Sequence, residues 1–328
     1  MNEYRRRLLV AGFGLPLAGL FACTRPAPLL RVAGIVWIGY EPLFLARELG
    51  YFNTAPLRLV EAPSNTVSLM SLATGDVEAA TLTLDEFLVA REGGLDVRVI
   101  LVFDESSGAD VVMSRPDIKD LADLRGKRIG VEETAVGALM LTRLLEVAGL
   151  APSDIVKVPV TSDHHVAAYR AGQVDALVSF EPYATRLAGL GARRLLDSSR
   201  FPGLIVDVLA ARGSALDAQP EQFRLLADGY FRALDYLHRA PGDAAARMAP
   251  RMAIRPDEVP QALKGVHMMD RAANHAWLDG PDPRLVHSAR AVANVMLQTG
   301  LLRSMPGFDH LADPRFLPLA EDKGEGAV

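Results

Sequence analysis

From Leu30 to about residue 200, short apolar runs rich in β-branched residues alternate with segments whose apolar positions recur every three to four residues. The runs Leu30–Val36, Leu57–Ala62, Ala79–Leu82 and Val97–Phe103 read as strands, and the pattern restarts with Arg128–Val131, Ile155–Val160 and Ala176–Phe180. Between them the spacing predicts helices over Pro42–Leu49, Asn65–Thr74, Leu84–Glu92, Val136–Ala148, Asp163–Ala171 and Pro182–Leu190. Their ends carry ordinary punctuation: Gly50 after the first, Ser64 or Asn65 capping the second, Gly93-Gly94 after the third. Strands separated by helices of this length imply βαβ units around parallel strands.

The two halves of this region repeat each other. Ala73-Thr74-Gly75-Asp76-Val77-Glu78-Ala79-Ala80 parallels Arg170-Ala171-Gly172-Gln173-Val174-Asp175-Ala176-Leu177, and Pro63-Ser64-Asn65 parallels Thr161-Ser162-Asp163. In each half a helix ends at Gly, a turn carries an acid and a buried strand follows. One unit used twice predicts two similar α/β lobes. Beyond them, Glu221–Arg239, Asp243–Met252, Pro256–Val266 and Arg284–Thr299 read as helical, with Gly300 after the last.

The amino-terminal segment has a different character. Arg5-Arg6-Arg7 precedes an apolar run from Leu8 to Ala22, and Leu20-Phe21-Ala22-Cys23 ends in the one cysteine of the chain. A basic start, a short apolar core and a small residue before the cleavage point make a secretory signal. The run is about 15 residues, short of the roughly 20 that span a bilayer. With Cys23 next, residues 1–22 resemble a bacterial lipoprotein signal, in which the cysteine is lipidated and anchors the exported protein to the cell envelope. A plain signal peptide is the alternative, and Arg5-Arg6-Arg7-Leu8-Leu9 leaves both the general secretory and the twin-arginine routes open. A single cysteine forms no internal disulfide. The chain carries a formal −5; removing residues 1–22 takes away three Arg and one Glu, leaving about −7. Nothing in that balance suggests nucleic acid. The polar stretch 321–328 reads as a flexible tail.

Particular residues tie these features to a family. Trp37-Ile38-Gly39-Tyr40-Glu41-Pro42-Leu43-Phe44-Leu45-Ala46-Arg47-Glu48-Leu49-Gly50-Tyr51-Phe52 strongly resembles the opening of the nitrate/sulfonate/taurine-type substrate-binding proteins of ABC importers. So do Asp120-Leu121-Ala122-Asp123-Leu124-Arg125-Gly126-Lys127-Arg128-Ile129-Gly130-Val131, Ala168-Tyr169-Arg170-Ala171-Gly172-Gln173-Val174-Asp175-Ala176 and Ser179-Phe180-Glu181-Pro182. The resemblance covers about residues 30–320 and does not specify a ligand. It implies an α/β, two-lobed periplasmic-binding-protein fold of type II, each lobe a mostly parallel sheet flanked by helices, with a helical carboxy-terminal region on lobe one. Lobe one would comprise residues 29–108 and 206–320, and lobe two residues 109–205, with crossings near Asp104–Asp110 and Pro202–Asp207. Such a protein closes on its ligand like a hinged clamp.

In open α/β sheets, ligands bind beyond the carboxyl ends of the strands. Those ends offer Trp37, Tyr40 and Glu41; Ser64 and Asn65; then Thr81, Thr83 and Asp85. Lobe two offers Glu132, Glu133, Thr134 and Ala135, then Ser162 and Asp163, then Phe180 and Glu181, and the crossing segment adds Asp104, Ser106 and Asp110. Each has a plainer reading. Asn65 and Asp163 fit helix N-caps, Asp85 a helix first turn, Trp37 a core aromatic, and Glu41 a solvated loop acid. The set is rich in carboxylates and aromatics and holds no Arg or Lys, which points to a neutral or cationic ligand with N–H or O–H donors: an amine, amidine, urea or pyrimidine.

Enzyme motifs are missing: there is no G-x-S-x-G, G-x-x-x-x-G-K-[ST], H-E-x-x-H or G-x-G-x-x-G. His164 and His165 are adjacent, so on a helix they diverge by about 100° and do not share a metal. No cofactor or metal is implied. The expectation is a monomeric periplasmic lipoprotein that delivers a small molecule to an ABC permease without covalent chemistry. The alternatives are a ligand-sensing lipoprotein that signals to a membrane-bound kinase or cyclase and, less favoured, a thiamine-pyrimidine synthase-like enzyme, whose Cys-rich iron site this chain lacks.

Overall fold

The computed structural model describes residues 28–53, 55–133 and 135–319; the apolar leader, Cys23, Thr134 and the tail 321–328 lie outside them. The first half runs β1 (Leu30–Gly34), α1 (Glu41–Glu48), β2 (Leu57–Glu61), α2 (Asn65–Thr74), β3 (Ala79–Thr83), α3 (Leu84–Glu92) and β4 (Val97–Ser106). Next come β5 (Asp110–Ser114), β6 (Arg128–Val131), α4 (Ala135–Ala148), β7 (Val156–Pro159), α5 (His165–Arg170), β8 (Ala176–Phe180), α6 (Tyr183–Ala188) and β9 (Arg193–Asp197). The return comprises β10 (Val206–Arg212), α7 (Gly213–Ala218), α8 (Pro220–Arg239), α9 (Pro241–Met252), α10 (Val259–Leu263), β11 (Val266–Met268), α11 (Arg271–Leu278) and α12 (Arg284–Gln298).

Two sheets form, in the orders β11-β4-β10-β3-β1-β2 and β7-β6-β8-β5-β9. The βαβ strands pair in parallel: β1 with β2 and β3, and β6 with β7 and β8. The strands beside the crossings run antiparallel, β10 against β3 and β4, and β5 against β8 and β9. Each sheet is therefore mixed, because a strand that enters a lobe from the other lobe arrives head-on rather than through a crossover helix. The chain passes between the sheets at residues 107–109 and again at 198–205. The two passages are tied together: Ser106 Oγ and Ser198 Oγ lie 2.9 Å apart, Gly108 N donates to Ser198 Oγ at 2.7 Å, and Ser106 N donates to Ile205 O at 3.0 Å.

The internal repeat has a physical cause. Gly75 and Gly172 end α2 and the α5 segment at φ 83° and 70°, a left-handed conformation that favours glycine. The acid that follows then grips the middle strand of its own parallel trio, β1 or β6. Glu78 accepts from Arg31 N at 2.7 Å and Arg31 Nη2 at 2.6 Å, and Asp175 accepts from Arg128 N at 2.9 Å and Arg128 Nη2 at 2.8 Å. The Arg128 guanidinium holds the Asp175 carboxyl below its usual range. Both Arg side chains are partly exposed, so each pair fixes register more than it stabilises, at about 1 kcal/mol or less.

Helices α8 and α12 pack on α1 and α3, in the first lobe. The predicted helix Pro256–Val266 divides instead into a 3-10 turn, α10 and the edge strand β11, because Lys264-Gly265 ends the helix before an apolar triplet that pairs with β4. Among the described residues no helix is long and apolar enough to cross a membrane. One apolar cluster runs from lobe to lobe, from Trp37, Tyr40 and Phe103 to Phe180, Tyr183 and Leu187. Its middle is where the carboxyl ends of the two sheets meet.

Candidate functional site

A small cavity of about 10 Å³ lies between the lobes, lined by Ile35, Trp37, Tyr40, Asn65, Thr83, Asp110, Val136, Phe180 and Asp207. A second, also of about 10 Å³, shares Asn65, Asp110, Val136 and Phe180 with it and adds Glu132, His165 and Ser179. Each has room for about one water, far below the roughly 300 Å³ of a ligand pocket, so a solute enters only when the lobes part.

The walls are aromatic. Trp37 meets Phe180 edge to face, with centroids 5.7 Å apart at 77°, so one ring from each lobe closes the gap. Phe180 continues to Tyr183 at 5.3 Å, and Tyr40 to Phe103 at 5.0 Å. Gly39 makes this approach possible. A Cβ there would lie 1.9 Å from Asp104 Oδ2 and 2.4 Å from Trp37 Nε1, across the 3.3 Å hydrogen bond those two atoms form.

The floor is acidic. Asp104 on β4 and Asp207 on β10 are cross-strand partners. Tyr40 OH donates to Asp207 Oδ1 and Trp37 Nε1 to Asp104 Oδ2. The Asp104 charge adds to burial in disfavouring ionised Asp207. Burial pushes Asp207 far above the usual carboxylate range and Asp104 up to about 8. Asp110 is pushed up to about 7, again by burial, although its surroundings include the Ser106 hydroxyl. Behind Thr83, burial raises Asp85 to about 6, and burial together with the Asp85 charge raises Glu86 to about 8. Among the described residues, Thr81 Oγ1, Thr83 Oγ1, Asp110 Oδ2, Asp207 Oδ2 and both Asp85 carboxyl oxygens have no geometric hydrogen-bond donor. Buried polar atoms without partners are costly, and Thr83, Asp110 and Asp207 face the cavity.

The carboxyl ends of the strands hold more than one kind of residue. Trp37, Tyr40, Asn65, Thr83, Asp110 and Phe180 converge on the first cavity, and Glu132 joins Asn65, Asp110 and Phe180 on the second. Thr81 and Asp85 are buried just behind. Ser64 caps α2, accepting from Val67 N at 3.4 Å. Glu41 is not a solvated loop acid. It is 1% exposed and paired with Arg251 of α9, whose guanidinium also stacks 3.4 Å over the Phe44 ring and donates to Ile35 O. Burial still pushes Glu41 up to about 7. Glu181 turns into its own lobe, accepting from Thr185 N at 3.0 Å and Thr185 Oγ1 at 2.7 Å, with Arg194 Nη2 at 3.4 Å. Asp163 sits half-exposed beside His164, in a 3-10 turn whose N-cap is Thr161. Ala135 opens α4, and Thr134 lies outside the described residues.

Sequence reasoning missed Asp207, Glu86 and His165 as site neighbours. Asp207 had a signal, an acid inside the apolar run Ile205-Val206-Asp207-Val208-Leu209. His165 is buried, 3.0 Å from Ser179 Oγ through Nδ1, and burial pushes it down to about 4, so it is neutral; exposed His164 points elsewhere. Among the described residues no group of three or more His, Cys, Asp or Glu side chains has metal-binding geometry.

Residues 37–244, more than half the chain, match the NMT1/THI5-like family. The chain belongs to the NMT1/THI5-like family. Its relatives include a putative aliphatic sulfonates-binding protein of Escherichia coli, 29% identical over 47% of this chain. That alignment spans 49% of the relative, about half its length. The taurine-binding periplasmic protein of Escherichia coli is 23% identical over 64% of this chain and 68% of its own. Among solved structures, the alkanesulfonate-binding protein of Xanthomonas axonopodis pv. citri bound to MOPS superposes with a TM-score of 0.72, covering 86% of this chain and 97% of that one at 20% identity. That likeness establishes the periplasmic-binding-protein fold for this NMT1/THI5-like chain.

Proposed function

We propose that this protein is an extracytoplasmic solute-binding protein that captures a small polar molecule between its lobes and delivers it to an ABC permease. Lobe one would be formed by residues 29–108 and 206–320 and lobe two by 109–205. Capture is by closure, and no covalent step is assigned. The relatives bind sulfonates and taurine by name, yet the cavity here supports a neutral or cationic solute rich in N–H or O–H donors. One observation carries this reading. Thr83, Asp110 and Asp207 present buried oxygens without hydrogen-bond partners to the cavity, and no Arg or Lys among the described residues lines it. A solute with two or three donors would complete those acceptors while its flat face lies against Trp37 and Phe180. A cation would also favour ionised Asp110.

Thermal-shift screening followed by calorimetry tests this. Hits are expected among amines, amidines, ureas or pyrimidines, weakened at least tenfold in Trp37→Ala, with no stabilisation by taurine, nitrate or alkanesulfonates. Micromolar binding of a sulfonate would leave the transport role standing and overturn the ligand class. The anchor belongs to the same proposal: Leu20-Phe21-Ala22-Cys23 would place the protein in the periplasm, tethered by lipid at Cys23.

A further inference from the structure

Glu132, just past the end of β6, is buried at the second cavity. Its Oε1 accepts from Thr66 N at 2.9 Å and Thr66 Oγ1 at 2.8 Å, and its Oε2 accepts from Ser162 N at 3.1 Å. Thr66 is the second residue of α2 in the first lobe, whereas Ser162 opens a 3-10 turn in the second. Donors from both lobes thus converge on one carboxylate. Helix α2 has no acid in its own first turn, and its Ser64 cap serves Val67 N, leaving the Thr66 amide to Glu132. An amide at a helix start, a hydroxyl and a second amide are the donors that hold an oxyanion. Ser162 Oγ also reaches Pro63 O across the cleft at 3.5 Å. On the cavity side of Glu132, Asp110 Oδ2 and His165 Nε2 are both buried and without a hydrogen-bond partner among the described residues.

We propose that Glu132 is a resident anion: its carboxylate fills the cross-lobe oxyanion position, holding the lobes together and excluding sulfonate- or carboxylate-bearing solutes from that end of the cleft. The inference rests on the cleft being the solute site. It names Glu132 as a specificity-determining residue, separate from the acceptors of the acidic floor. An incoming oxyanion would have to displace Glu132 from three hydrogen bonds and would then lie beside its charge. Removing the side chain frees the Thr66 and Ser162 donors for an external anion.

The test uses the intact protein with butanesulfonate as probe, measured by calorimetry, and small-angle X-ray scattering for compactness. Glu132→Ala, folded by circular dichroism, is expected to bind butanesulfonate at least tenfold more tightly than wild type and to be more open without it. Thr66→Val removes one donor and keeps the carboxylate; it is expected to loosen closure without gaining sulfonate affinity. Should Glu132→Ala fail to fold, Glu132→Gln replaces it, with a smaller gain because its amide nitrogen faces a donor. A folded Glu132 variant as compact as wild type, with butanesulfonate affinity within threefold of it, overturns the inference. Micromolar butanesulfonate binding by wild type also overturns it, while leaving the solute-binding role intact.

Discussion

Replacing Asp110 by Asn isolates the energetic consequence of the acidic cleft. The Asp110 carboxyl is raised by burial from 3.8 to about 7 in the folded protein. Its folded value lies above its unfolded one, so the native state holds the proton more tightly. The stability this contributes is fully present below about pH 4 and is lost as pH rises through 7. A shift of that size corresponds to about 4 kcal/mol between the two limits. Asp85, Glu86 and Asp104 act in the same direction, at about 6, 8 and 8, and Asp207 is raised as well. His165, lowered to about 4, opposes them as pH falls through 6.5. The perturbation is Asp110→Asn, nearly isosteric and uncharged at every pH. Urea unfolding of solute-free protein at pH 4.5 and pH 8 would be compared for wild type and variant. Wild type is expected to lose stability over that interval, and the variant to lose about 2–4 kcal/mol less, the lower figure allowing for water entering around an ionised group. The difference of differences cancels whatever the Asn amide does to packing. Identical pH dependence in the two proteins would refute the claim that Asp110 is held as an acid in a dry, unpartnered position.

Three further outcomes follow from separate parts of the molecule. Arg251→Ala leaves Glu41 buried without its partner and strips the guanidinium from Phe44, so thermal unfolding should show a loss of about 3–5 kcal/mol. Glu181→Gln disturbs the bonds to Thr185 and Arg194 inside lobe two, so it should cost about 1–2 kcal/mol of stability by urea unfolding while solute affinity changes less than threefold. Cys23→Ser should move the protein from the membrane fraction to the soluble fraction after salt and carbonate washes, and retention on the membrane would exclude a lipid anchor at that residue.

Much of the architecture was legible because βαβ units write their period directly into the chain. Helices Asn65–Thr74 and Leu84–Glu92 and strands Arg128–Val131 and Ala176–Phe180 have the bounds their apolar pattern and glycine stops predict. The strands that the pattern did not announce, β5, β9, β10 and β11, are those paired antiparallel near the crossings. Their partners are distant in sequence, so no local helix marks them. The candidate site divides in the same way. Trp37, Tyr40, Asn65, Thr83 and Phe180 follow from the rule that ligands sit beyond strand ends, and Asp110 from its place in the crossing segment. Glu41 and Glu181 obey that rule by position, but their side chains turn to Arg251 and Arg194, partners that lie 210 and 13 residues away. Asp207 stands out in the sequence as an acid inside an apolar run, but its place in the site follows only once β10 is set against β4, opposite Asp104.

The central claim is that a donor-rich, non-anionic solute occupies the space between the two aromatic walls. Native mass spectrometry of the protein purified without denaturation from its own host, repeated with Trp37→Ala, tests it most directly. The expected result is a retained small molecule that contains nitrogen and bears no sulfonate or carboxylate, lost or depleted in the variant. A retained sulfonate, or a solute whose occupancy is the same in wild type and Trp37→Ala, would contradict it.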